Sequence, residues 1–197
     1  CGGDNDCWVG SGDINQDGDV DVLDLLDLVY HILGTDLLDG LDAQIADVNQ
    51  DNILDILDLV DIVAMILGDD LMSRKAIDVD EVDLSFTSNS IDLDSEILVA
   101  LNIVFEYSDG VDIDFQISSS SILGECLDLS NNRTNCIITT ENVGQIISSN
   151  ESFEIISIEA AAPGKYLDVN LIEIPLELSI GAAYPNPFNP KVKFDYA

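Results

Sequence analysis

Residues 12–24 read GDINQDGDVDVLD, and residues 46–58 read ADVNQDNILDILD. Asp13 and Asp47 stand 34 positions apart, so one unit is written twice. In each copy, oxygen-bearing side chains fall at alternate positions, and an apolar run begins where they end. Calcium takes about six to eight oxygen ligands, which one tight loop supplies at fixed offsets. In the first loop Asp13, Asn15 and Asp17 hold positions 1, 3 and 5, and Gly18 makes the turn at 6. Asp19 offers its carbonyl at 7, Asp21 sits at 9, and Asp24 closes the loop at 12. In the second loop Asp47, Asn49, Asp51, Ile53, Asp55 and Asp58 hold the same places. Asn52 replaces the glycine, and asparagine tolerates left-handed backbone angles better than most residues. Two filled loops predict two calcium ions, with metal binding coupled to folding.

Each loop opens an apolar run that ends in Ile-Leu-Gly, at Gly34 and at Gly68. Leu25, Leu26, Val29, Ile32 and Leu33 recur at helical spacing, as do Leu59, Val60, Val63, Ile66 and Leu67. Glycine is the usual residue just past a helix end. Two such helices bury their faces only against each other or against a partner. Between them, TDLLDGLDAQIA predicts a short helix or a turn.

Composition excludes several functions. The chain has 39 acids against 6 Lys plus Arg, a formal charge of −33, and no cationic footprint for a phosphate backbone. Nucleic acid is therefore excluded as an ordinary partner. Sixteen aspartates fall between Asp13 and Asp70, and no Lys or Arg precedes Arg74. That density repels itself unless cations neutralise it. No run of about twenty apolar residues is present, so no transmembrane helix is expected. The sole histidine, His31, lies on the first apolar helix, far in sequence from any nucleophile. No phosphate-cradling glycine loop accompanies it. An enzyme is not expected.

The cysteines form two close pairs, Cys1 with Cys7 and Cys126 with Cys136, which suits disulfides in an oxidising compartment. Cys1, followed by GGDND, is alternatively a lipid-anchored residue. Either reading places the chain outside the cell or on the surface of a bacterium.

Beyond residue 79 the period changes. VDIDFQI, residues 111–117, alternates as a half-buried strand, and EILVALNIVFEY, CIITT, SFEIISIEA, YLDVNLIEI and PLELSI are further β-rich runs. Roughly eight short strands without an intervening helix predict an antiparallel sandwich. Its expected core is Leu84, Phe86, Leu101, Ile103, Phe105, Phe153, Ile155, Val169 and Leu171. The fold class is thus α+β and multidomain: a small all-α duplicated loop-helix unit followed by a sandwich. The expected boundaries are 1–11 for the disulfide-closed or lipid-linked start, 12–70 for the calcium unit and 71–78 for a linker. The sandwich then takes 79–181, and a Pro-rich segment with a terminal strand takes 182–197. In that last strand, KVKFDYA, the side chains of Val192, Phe194 and Tyr196 share one side and should pair with something, and Lys191 and Lys193 suit the sheet edge of an acidic neighbour.

A loop followed by an exiting helix, duplicated, resembles the dockerin family. Position 12 is aspartate rather than the glutamate of an EF-hand, and CGGDNDCWVGSG contains no entering helix before the first loop. The resemblance covers residues 12–68 and implies calcium on the loop residues named above. It also implies a helix face that docks onto a cohesin sandwich in an extracellular assembly. Loop positions 10 and 11, where many dockerins carry hydroxyl residues, hold Val22 and Leu23, then Ile56 and Leu57. With Tyr30, these make a more hydrophobic candidate contact. AYPNPFNPKVKFDYA resembles the opening of the C-terminal sorting domain of type IX secretion.

These readings lead to a calcium-dependent extracellular assembly protein. Its dockerin-like unit would grip the cohesin-like or immunoglobulin-like sandwich of a neighbouring copy, building a surface filament. The alternative is an accessory protein anchored to a cohesin on a different scaffold, its sandwich binding a ligand or glycan.

Overall fold

The computed structural model describes residues 10–68 and 79–175. Three helices, α1 (Val22–Leu33), α2 (Gly40–Ala46) and α3 (Ile56–Leu67), precede nine strands. The long helices start identically. Asp21 and Asp55 are N-caps that accept from the amides of Leu23 and Leu57, and Asp24 and Asp58 return a bond to the cap backbone. At the other end Gly34 takes a left-handed φ of 78°, which ends α1 without the penalty a Cβ would bring.

The strands are β1 (Glu81–Phe86), β2 (Ser90–Leu93), β3 (Val99–Glu106), β4 (Phe115–Ile117) and β5 (Leu123–Leu129). They continue with β6 (Arg133–Thr140), β7 (Gly144–Ser149), β8 (Glu154–Ala162) and β9 (Lys165–Glu173). Their order is β4-β7-β2-β1-β9-β8-β3-β6-β5. β9 bends this run into two faces, pairing first with β8 and then with β1. Its contact with β1 is parallel, which corrects the expectation of a purely antiparallel sandwich: β9 reaches β1 after a long excursion, not through a hairpin. At the far edges the Ile117 side chain lies against Gly124, where a Cβ would come within 2.6 Å of it. That close approach nearly closes the sandwich.

Alternation sends Val99, Leu101, Ile103 and Phe105 of β3 into the sandwich core, together with Leu84 and Ile138. Phe105 stacks on Phe115 at 4.7 Å and meets Phe153 at 4.6 Å. Two expectations need correction. The alternating run 111–117 forms a strand only at its end, because Asn150 takes the backbone of the rest. Its side chain donates to the Asp112 carbonyl at 3.0 Å and accepts from the Asp114 amide at 2.7 Å. Leu171, expected in the core, is 40% exposed.

The helices do not stand apart from this sandwich. Ile14, Leu25, Leu28, Val29, Ile45 and the buried face of α3 form one continuous apolar cluster with Leu98, Ala100, Leu123, Ile137 and Ala161. Leu98 directly precedes β3, and the other four lie on the outer face of β3, β5, β6 and β8, opposite the sandwich core. Ala100 and Ala161 are direct cross-strand partners, and their small side chains leave room for α3. α1 and α3 therefore bury their faces against each other and against their own chain's sheet.

Candidate metal loops and docking face

The two loops carry the same hydrogen-bond network. In the first, both oxygens of Asp13 accept, from the amides of Asp17 and Gly18 at 3.1 Å each. In the second, Asp47 accepts from Asp51 at 3.1 Å and Asn52 at 3.0 Å. Asn15 and Asn49 turn back on the amides of Asp17 and Asp51, and the carboxylates of Asp17 and Asp51 on those of Asp19 and Ile53. Asp24 bridges the amides of Asn15 and Asp21, and Asp58 bridges those of Val48, Asn49 and Asp55. The closing carboxylate thus ties the loop's start to its end. Gln16 and Gln50, at position 4, adopt left-handed φ of 59° and 61°, as Asn52 does at 68°. These positive angles let each loop turn back on itself.

The donor set suits a hard divalent cation: carboxylates, an asparagine amide oxygen and a backbone carbonyl, with no sulfur or imidazole. Asp24 and Asp58 are fully buried, yet residues 10–68 contain no Lys or Arg to neutralise them. A buried charge needs a partner: burial first, then the neighbouring charges of Asp55 and Asp47, push the Asp58 carboxyl up to about 6 against the amide bonds that lower it. A cation at each loop would supply that partner. Among the described residues no three acidic side chains converge into a closed cage. Carboxylates repel one another, and here they accept backbone amides. Asp13, Asn15, Asp17, Asp21 and Asp24, with the Asp19 carbonyl, would hold one ion. Asp47, Asn49, Asp51, Asp55, Asp58 and the Ile53 carbonyl would hold the other.

The two copies differ in their surroundings. Ile56 is buried, and Leu57 is half-buried against the apolar cluster. Their counterparts Val22 and Leu23 are 49% and 52% exposed, and Tyr30 is exposed as well. α2 leads straight into the second loop, so that loop has an entering helix, whereas Gly10 and Gly12 precede the first and bond to the Gln44 and Ile45 carbonyls. His31 accepts from the Leu38 amide through Nδ1 at 2.9 Å and fixes the chain after α1.

Polar contacts also join the second copy to the sandwich. The Gly164 amide, in the β8–β9 turn, donates to buried Asp61 of α3 at 2.8 Å. The Tyr166 hydroxyl of β9 donates to Asp55. No local motif marks either contact; the legible signal is Ala160–Ala162, three alanines where a strand favours larger side chains. Cys126 and Cys136 are bonded, across directly paired positions of β5 and β6. Cys1, Cys7, Val192, Phe194 and Tyr196 lie outside the described residues.

Residues 11–67 match the Dockerin type I domain. The chain therefore contains a dockerin, a non-catalytic module for protein docking that typically binds calcium and generally occurs in secreted or cell-surface proteins. Among solved structures, the non-cellulosomal cohesin from the hyperthermophilic archaeon Archaeoglobus fulgidus is similar over 49% of this chain and 92% of its own. The identity is 13% and the TM-score 0.36. A comparison with curated proteins gives no match. Among the described residues no helix is long and apolar enough to cross a membrane.

Proposed function

We propose that this chain is a non-enzymatic, extracellular assembly protein of a bacterium, with two calcium ions ordering its dockerin. Its dockerin grips the outer β3-β6-β8 face of a sandwich, and neighbouring copies join when that grip passes from one chain to the next. The observation that carries the reading is the seat of α3 on β3 and β8 at Ala100 and Ala161, with α1 against β6. The surfaces match equally well whether they belong to one copy or to two. Ten residues, 69–78, connect the two parts, and such a length reaches about 35 Å when extended. A contact exchanged head to tail does not close on itself and builds a filament.

The exposed Val22, Leu23 and Tyr30 favour a second reading, in which the dockerin anchors to a different scaffold protein while its other copy stays on the sandwich. Light scattering and negative-stain microscopy of the purified chain, with calcium and then with chelator, separate the two. Calcium-dependent polymers from the single chain support exchange between copies. A monomer at every concentration in both conditions refutes it.

A further inference from the structure

Where β8 and β9 diverge, two facing strand edges have no second neighbour among the described residues. β8 meets β9 only through Ala160–Ala162, so residues 154–159 are bonded to β3 alone. β9 pairs with β1 over residues 168–173 and leaves its other edge open. The two faces of the sandwich part along this seam, and the core is uncovered there. Leu171 is in register with Leu84 and shares its core-facing side, yet Leu84 is 0% exposed and Leu171 is 40% exposed. Ile172 is also exposed, as is Ile156, the extra residue of a bulge in β8. A core-facing leucine in contact with water leaves room for a further strand, and an open edge invites one.

We propose that the seam is filled by residues 191–197, KVKFDYA, of the same chain. Their alternation gives Val192, Phe194 and Tyr196 to one face, which would cover Leu171 and the half-buried Val169 and Ile158. Lys191 and Lys193 fall on the other side, and the seam is flanked by exposed Glu154, Glu159 and Glu173. Charge complementarity is specific in a chain with only 6 basic residues, where Lys165 and Arg133 are already paired with Asp80 and Glu106. The chain leaves β9 beside the seam, and residues 175–190 are long enough to bring the segment back along it. A tethered strand has an effective concentration on the order of millimolar, which favours the same copy over a neighbour. The inference uses the half of β8 away from the dockerin contact and is independent of it.

Amide hydrogen exchange on the full chain tests the proposal. Seam amides within 155–158 and 169–172 should exchange about 100-fold slower in the native chain than in a full-length Phe194→Asp variant, with β3 and β6 unchanged in both. Added KVKFDYA peptide should restore the protection in a chain ending at residue 190. Equal exchange in the native chain and the variant overturns the proposal, as does a peptide without effect. Protection that grows with protein concentration, together with dimers in sedimentation, would place a second copy's segment in the seam and overturn it too.

Discussion

Tyr166 of β9 donates its hydroxyl to Asp55, which both caps α3 and holds position 9 of the second loop. One carboxylate thereby belongs to the helix start, to the candidate metal ring and to the contact with the sandwich. Burial and then the bond to Asp55 raise the phenol well above its usual range, so it remains a donor at any physiological pH. Tyr166→Phe keeps the ring and removes the bond. We expect the packing of dockerin on sandwich to weaken by about 1 kcal/mol. Exchange of the Gly164 amide, which depends on Asp61 across the same contact, should speed up accordingly.

The alanine pair beneath α3 gives a steric test. Ala161→Phe adds volume where the helix meets β8, and overpacking of this kind costs about 1–3 kcal/mol. Ala161 faces the helices and not the sandwich core, so the loss should fall on docking. Calorimetry should resolve an earlier transition for the dockerin while the sandwich transition stays in place.

Asp58 contributes to the pH response of the metal-free protein. Its folded pKa, raised to about 6 chiefly by burial, lies above the ordinary 3.8. The folded state therefore holds this proton more tightly than the unfolded state does. The contribution is fully present below pH 3.8 and is lost as pH rises through about 6. Thermal melts in chelator between pH 4 and 7 should show stability falling with pH for this group. Asp58→Asn should flatten that slope.

Calcium should reverse the loss, because the cation replaces the proton as the partner of the buried carboxylate. At a free concentration one hundred times the dissociation constant, one site contributes about 2.7 kcal/mol. Calorimetric titration should resolve two binding events. Asp13→Ala and Asp47→Ala should each remove one, since each residue anchors a single loop through both carboxylate oxygens.

Local rules made much of this legible. Ligand spacing, the duplicated Ile-Leu-Gly ends and the period-2 alternation of β3 each depend on residues close in sequence. The loops, both long helices, most strands and the Cys126–Cys136 bond follow from them. The strand expected at 111–114 fails for a non-local reason: Asn150, distant in sequence, supplies the bonds that a neighbouring strand would have made. Leu171 fails similarly, since its alternation is correct but its burial depends on which strand lies next to β9.

By itself, then, the sequence determined what each segment is: two oxygen-lined loops, two apolar-faced helices, a set of alternating strands. An apolar face states that it must be covered but not by what, because hydrophobic burial is non-directional. Only the tertiary structure decided that α3 lies on Ala100 and Ala161, that Tyr166 reaches Asp55, and that one seam of the sandwich keeps its leucine in water. Those outcomes depend on shape matching between segments about a hundred residues apart, which no local pattern encodes.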